Sequence, residues 1–372
     1  MRFLRGSAES IRAVLTAGNL IGAVPPSLNA EQLALFQAHS RRSFAAVVEQ
    51  AIADDADLML IAGGLFAQSE PGLDDIRFAS QCLGRARDAG IVAIALDDAE
   101  NPATGSTGIA FLEELGLLAG VRPDGGIRSR TVDVAGIALD VGAPSAFGHA
   151  DPAPHHPTLR IALTSDSDAL QRPEAMAADV IVLGNRPDPG QRQLENVFLI
   201  CPGWSAPAVA ERRPEAGFAL VDLDQGGVIA AEFRELAGVS PVVVTFTAGE
   251  LADRDPAGVI RERVTPLIGD APLVTLEFVG AFSRELWHRC RVADLSRRAS
   301  ADGTLVHLDL SQLDITTGPA DARPTRSFVV EVRRAAEHLT AGAAPADDAD
   351  TVARARRLVV DGFRRRAESR VA

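Results

Sequence analysis

Between residues 30 and 96 the apolar positions recur with two different periods. In "EQLALFQAHSRRSFAAVVEQAIADD" the residues Phe44, Val47, Val48, Ala51 and Ile52 fall at i, i+3, i+4, i+7 and i+8, one stripe of a long helix. Asn29 is a residue type that caps such a helix. The run "LMLIA" (58–62) follows at once, unalternating and strand-sized. "LDDIRFASQCLGRARDAG" returns to the helical period through Ile76, Ala79, Leu83 and Ala86, with Gly90 placed to end it. "IVAIAL" (91–96) is a second continuous apolar strand. Strand, helix, strand with apolar strands predicts a parallel sheet covered by helices.

Beyond about 125 the texture changes. "SRTVDVAGIALDVG" (129–142) predicts two short paired strands, and "DPAPHHPT" (151–158) a proline-rich connector. "LRIALTSD" (159–166) is a strand, followed by a short helix and "DVIVLG" (179–184). "NVFLICPG", "GFALVDLD" and "GVIAAEFREL" are three more strand-like runs. Paired strands after an α/β opening predict two packed sheets with helices outside, an α/β/β/α sandwich over 1–235. The pattern resets near 236–240. "PVVVTFTAGE", a helix near 256–267, "PLVTLEFVG" and a helix near 283–293 predict a small α+β domain over 236–338. "TAGAAPADDAD" reads as part of a flexible linker, 339–350. Residues 351–372 are expected to form a terminal helix with seven Arg against Asp361 and Glu368.

Composition narrows the chemistry. All 37 basic residues are Arg, so a P-loop lysine, a lysine Schiff base and a Ser–Lys dyad are excluded. Three separated cysteines, Cys82, Cys201 and Cys290, disfavour a disulfide framework and a zinc knuckle. A net charge of −13 argues against the whole surface wrapping nucleic acid. Apolar runs stay far below a membrane span, and "MRFLRGSAES" lacks the layout of a signal peptide, so a cytoplasmic protein is expected.

Three stretches carry a family likeness: "DADLMLIAGGLFAQSEP", "AGIVAIALDDAENP" and "ADVIVLGNRPDPGQRQLENVFLICPGWSAP". In order and spacing, residues 1–335 resemble the SbcD-like DNA-repair exonucleases of the calcineurin-type metallophosphoesterase superfamily. "PLVTLEFVGAFSRELWHRC" resembles the start of that family's capping-domain core. The resemblance implies a strand-end site in which Asp, His and Asn hold two divalent metals about 3.5–4 Å apart. It also implies a homodimer and an SMC-like ATPase partner.

Carried over residue by residue, those ligands are absent. The bridging Asp falls on Gly64. The GNHD string becomes Asp97-Asp98-Ala99-Glu100, with Asp98 for the Asn and Ala99 for the catalytic His. The lone His after a strand becomes Thr164, and the two His of the last motif become Asn185 and Pro187. Two registers compete for the first motif: Ala8 and Ser10, or Gly18 and Leu20. The expectation is a pseudoenzyme without a cofactor, a non-catalytic subunit or regulator that binds an SMC-like ATPase, duplex DNA, or both.

The rival is an active phosphoesterase with a rebuilt site. Asp97, Asp98 and Glu100, with Asp57 and Asp166 nearby in the topology, would then hold Mn²⁺ or Mg²⁺ through oxygen ligands. A third possibility is a small ligand in the vacated cleft. His155 and His156, and the isolated His39, His288 and His307, read as surface or structural residues; Trp204 and Trp287 read as packing rather than base-stacking platforms. In the tail, Leu358, Val359 and Phe363 form an apolar stripe for a partner helix, and Arg364, Arg365 and Arg366 suit phosphates. Arg284, Arg289, Arg291, Arg297 and Arg298 form a second basic cluster.

Overall fold

The computed structural model describes residues 10–24, 30–68, 70–97, 107–123, 127–147, 158–171, 177–184, 186–206, 216–236, 242–252 and most of 254–316. The chain begins with β1 (Ile11–Thr16), α1 (Ala30–Ala53), β2 (Leu58–Ile61), α2 (Leu73–Asp88), β3 (Val92–Leu96), α3 (Gly108–Glu114) and β4 (Ala119–Val121). The strands β5 (Ser129–Val134), β6 (Ile137–Gly142), β7 (Leu159–Thr164), β8 (Val180–Leu183), β9 (Gly190–Leu194) and β10 (Val197–Cys201) follow. Next come β11 (Gly217–Asp224), β12 (Gly227–Glu235), β13 (Val242–Thr247), α4 (Ala248–Ala252) and α5 (Pro256–Val264). The last described elements used below are β14 (Leu273–Ser283), α6 (Arg284–Arg289) and β15 (Leu305–Asp309).

These elements build a mixed α/β chain around two six-stranded sheets. The first runs β12-β11-β1-β2-β3-β4, and the second β5-β6-β7-β8-β10-β9. Strands β1 to β4 are mutually parallel, with β11 and β12 added antiparallel at one side. The continuous apolar strands have two dry faces to fill. Leu15, Leu60 and Ile94 meet Leu139, Ile161 and Val182 of the second sheet. The alternate residues Val14, Met59 and Ile61 meet Phe44, Val48 and Leu83 of α1 and α2. On the outer face of the second sheet, Phe147, Ala162, Ile181 and Val197 form a smaller cluster. Short 3₁₀ helices at Pro144–Ala146 and Ser167–Gln171 flank that sheet, the second where a short helix is expected after β7.

Local signals explain the element ends. Gly90, at φ +86°, follows α2 in the left-handed conformation. Its N–H bonds Arg87 O, and Ile91 N–H bonds Ala86 O, a Schellman closure that puts Ile91 in the core. Thr107 caps α3, its hydroxyl accepting from Ala110 N–H at 3.1 Å. Asn29 lies outside the described residues.

Strands β13, β14 and β15 run parallel in a separate four-stranded sheet, whose fourth strand, β16 (Leu313–Thr316), pairs with β14. Phe246 stacks on Phe278 at 5.5 Å, and Trp287 meets Phe278 edge-on at 5.0 Å, a packing role for that tryptophan. Leu273 and Leu305 pack with Ala23, Phe36 and Leu20. The chain divides into two compact units, Met1–Gly280 with Leu286–Asp314, and Ala281–Glu285 with Ile315–Ala372. Among the described residues no helix is long and apolar enough to cross a membrane.

Candidate functional site

Parallel strands that share a sheet deliver their C-terminal loops to one edge, where ligands of α/β folds are held. Here the loops after β1 and β2 stay hydrogen-bonded beyond the strands. Gly18 N–H bonds Gly63 O at 3.2 Å, Leu20 N–H bonds Gly64 O at 2.9 Å, and Ile21 N–H bonds Leu65 O at 3.1 Å. Because β1 ends at Thr16, its loop is Ala17–Leu20, which puts Gly18 and Leu20 at this edge; Ser10 precedes the strand, and Ala8 lies outside the described residues.

Backbone approach dictates the glycines. Gly18 and Gly64 both have positive φ, +53° and +63°. A Cβ on Gly64 would stand 3.2 Å from the α-carbon of Gly18. Gly18 and Gly64 thus face each other as bare backbone. Leu20, also at positive φ, turns its side chain into the cluster with Phe36 and Leu273.

At the end of β7, Thr164 is buried and its hydroxyl accepts from Asp166 N–H at 3.0 Å, closing the turn. Asp166 itself is exposed and accepts from Asp168 N–H at 2.8 Å. Gly184, after β8, donates to Thr164 O at 2.8 Å. Pro187 is half-buried, and its carbonyl accepts from Trp204 N–H at 3.3 Å.

Trp204 closes the edge; the sequence reading gave it a packing role but not its place over Gly18. Its indole covers the Cα of Gly18, where an added Cβ would stand 2.9 Å from Trp204 Cβ and nearer still to the ring. Its Nε1 donates to Gly184 O at 3.2 Å. The adjoining backbone locks on, with Ser205 N–H to Ala17 O at 3.1 Å and Ala206 N–H to Gly18 O at 3.2 Å. Beneath lies a fully buried trio: Asn19 Nδ2 donates to Thr16 Oγ1 at 2.9 Å and to Ser205 Oγ at 2.6 Å. The only sequence signal was the bulky residue inside "PGWSAP", beside two positions able to turn sharply.

The acidic loop is placed in part. Asp97 is 6% exposed and accepts from Thr107 Oγ1 at 2.7 Å and from Arg122 Nε at 2.9 Å. Arg122 reaches on to Glu113, which also pairs with Arg130. Asp97 therefore spends its charge within an ionic chain that joins β3, α3, β4 and β5. Asp57 is not part of this edge. It precedes β2 at the opposite end of the strand and accepts from Arg12 N–H at 2.9 Å. Asp98, Ala99, Glu100, Asn185, His155, His156, Arg297, Arg298 and the tail residues Leu358, Val359, Phe363 and Arg364 to Arg366 lie outside the described residues.

Among the described residues no group of three or more His, Cys, Asp or Glu is placed to hold a metal ion. His39 is buried in α1, where loss of solvent and the charge of Arg42 lower its pKa. His307, on β15, is lowered by burial, while Asp309 opposes the shift. Burial pushes the Cys82 and Cys290 thiols up to about 11, so neither is a poised thiolate. Gly18, Leu20, Gly64, Thr164 and Pro187 do not fit a two-metal centre. Glycine, leucine and proline side chains have no lone pair to give, and the one hydroxyl is committed to its turn.

No family model matches the chain, and no curated protein matches it. Solved structures do. One is an archaeal phosphodiesterase, 8% identical, covering 60% of this chain and 100% of its own, with a TM-score of 0.35. The protein TT1561 of Thermus thermophilus is 11% identical and covers 61% of this chain and 99% of its own, with a TM-score of 0.36. Vps29 from Entamoeba histolytica, in complex with Zn²⁺, is 9% identical over 61% of this chain and 99% of its own, with a TM-score of 0.29. Likeness at this level concerns the fold alone.

Proposed function

We propose that the chain is a catalytically degenerate counterpart of the SbcD-like exonucleases, a metallophosphoesterase-type sandwich that acts as a non-catalytic subunit. The observation that carries this reading is the donor set at the strand ends. Two divalent cations about 3.5–4 Å apart need a bridging carboxylate and several nitrogen or oxygen donors. Gly18 and Gly64 offer bare backbone there, and Trp204 lies over Gly18. Asp97, a donor for the rival carboxylate site, is bound to Arg122 and Thr107.

In this reading the protein keeps the sandwich as a scaffold and contributes binding. The partner is an SMC-like ATPase, met through the stripe of Leu358, Val359 and Phe363, and two copies pair as a homodimer. Arg364, Arg365 and Arg366, with Arg284, Arg289 and Arg291, meet the phosphates of duplex DNA without cutting it. The partner and DNA assignments rest on the sequence pattern.

The test is a Mn²⁺ titration by calorimetry with a nuclease and phosphodiester assay on the same sample. No binding heat and no turnover are expected. Tight Mn²⁺ binding with cleavage, lost on Asp98→Ala or Glu100→Ala, would overturn the reading in favour of a rebuilt metal site.

A further inference from the structure

We propose that the Trp204 indole is a built-in occupant of the strand-end cleft, and that the slot it fills takes a flat aromatic ring carrying an N–H donor. One wall is the face of Gly18, flat because no side chain stands there. Position 18 is held to glycine twice over, by its φ of +53° and by the ring against its Cα. Gly184 O forms the polar end, accepting from the indole Nε1 at 3.2 Å. Trp204 is half-buried, so the slot opens to solvent and a free ring can reach it.

The walls do not depend on the ring. Backbone bonds fix the turn on both sides: Trp204 N–H to Pro187 O, Ser205 N–H to Ala17 O, Ala206 N–H to Gly18 O and Gly217 N–H to Trp204 O. Asn19 holds Ser205 from below at 2.6 Å. Truncating the side chain leaves each of these bonds available and opens a cavity of indole shape. A cavity with intact walls and one unmet acceptor binds the missing ring in preference to water, because the ring restores both apolar contact and the hydrogen bond. The slot is defined without reference to metal or DNA, so catalytic activity in the Mn²⁺ assay would leave it standing, and its own failure would leave the scaffold reading standing.

The experiment is chemical rescue of Trp204→Ala. Thermal melts of the full chain are recorded with and without millimolar indole, and with benzofuran, which has the same shape but no N–H. The variant is expected to melt below the wild type. Indole should raise its midpoint by about 2–4 °C at a few multiples of its dissociation constant. Benzofuran should raise it less, and the wild type should not respond. Equal responses of variant and wild type to indole would overturn the slot, and equal rescue by both rings would overturn the N–H requirement.

Trp287→Phe gives a second measurement that does not rely on the folding of the first variant. It leaves Trp204 as the only tryptophan of the two in the chain. Emission from Trp204 should then be quenched by acrylamide severalfold more slowly than that of free indole. Quenching at the free rate would overturn the proposal.

Discussion

Gly184 follows β8 and faces the carbonyl of Ala62, at the end of β2. A Cβ at this position would stand 2.7 Å from the carbonyl carbon of Ala62 and 3.0 Å from the Cβ of Ala17, with Ala62 O nearer than either. Ordinary contacts are about 3.5–4.0 Å, so the two sheet edges would have to part by more than about 1 Å. The glycine also donates to Thr164 O at 2.8 Å and accepts from Trp204 Nε1 at 3.2 Å, and parting strains both bonds. Overpacking of about 1–3 kcal/mol plus about 1 kcal/mol for each hydrogen bond gives roughly 3–5 kcal/mol for Gly184→Ala. In a domain of this size that lowers the melting midpoint by about 10 °C. Gly90→Ala is the control, because its Cβ meets nothing within 4 Å and only the left-handed φ of +86° is strained. It should cost about 1 kcal/mol. Urea unfolding followed by circular dichroism measures both. If Gly184→Ala costs no more than Gly90→Ala, the close packing of the two sheet edges is refuted.

Asp97→Ala leaves Arg122 with Glu113 as its acid and removes the acceptor of Thr107, and should cost about 2 kcal/mol in urea unfolding. Asp97→Asn keeps an acceptor for Thr107 and should cost less than the alanine variant but still a measurable amount; an asparagine variant as stable as the wild type would deny the charge a role. The folded-state pKa of His39 lies below its usual value, so the unfolded chain binds the proton more readily. Its contribution is fully present above the unfolded pKa of about 6.5 and is lost as pH falls toward the depressed folded value. The stability of His39→Gln should therefore depend less on pH between about 7 and 5 than that of the wild type. An unchanged slope would show that His39 is solvated in the folded chain.

Elements that bury a continuous face were legible from residue type alone. The stripe of Phe44, Val47, Val48 and Ala51 and the run Leu58–Ala62 are examples, because burial on a helix flank or between two layers leaves a period in the sequence. Strand β9 was not legible. "GQRQL" is almost wholly exposed and polar, and it is a strand through its pairing with β10. Nor was β1, whose run is broken by Arg12; that side chain reaches Asp222, 210 residues away. The candidate site divides the same way. That Gly64 and Thr164 follow strands could be read locally. That Trp204 lies on Gly18 is a contact between distant segments, and no local pattern encodes it.

The bond between Asp97 and Thr107 also bears on chain entropy. It ties the flanks of residues 98–106, and Thr107 at the same time starts α3. A segment whose two ends are already held together by the framework can be exchanged at little expense to folding, since each doubling of its length adds only about 0.6 kcal/mol of closure entropy. The bond holds the end of β3 and the start of α3 in place, whatever the sequence that joins them.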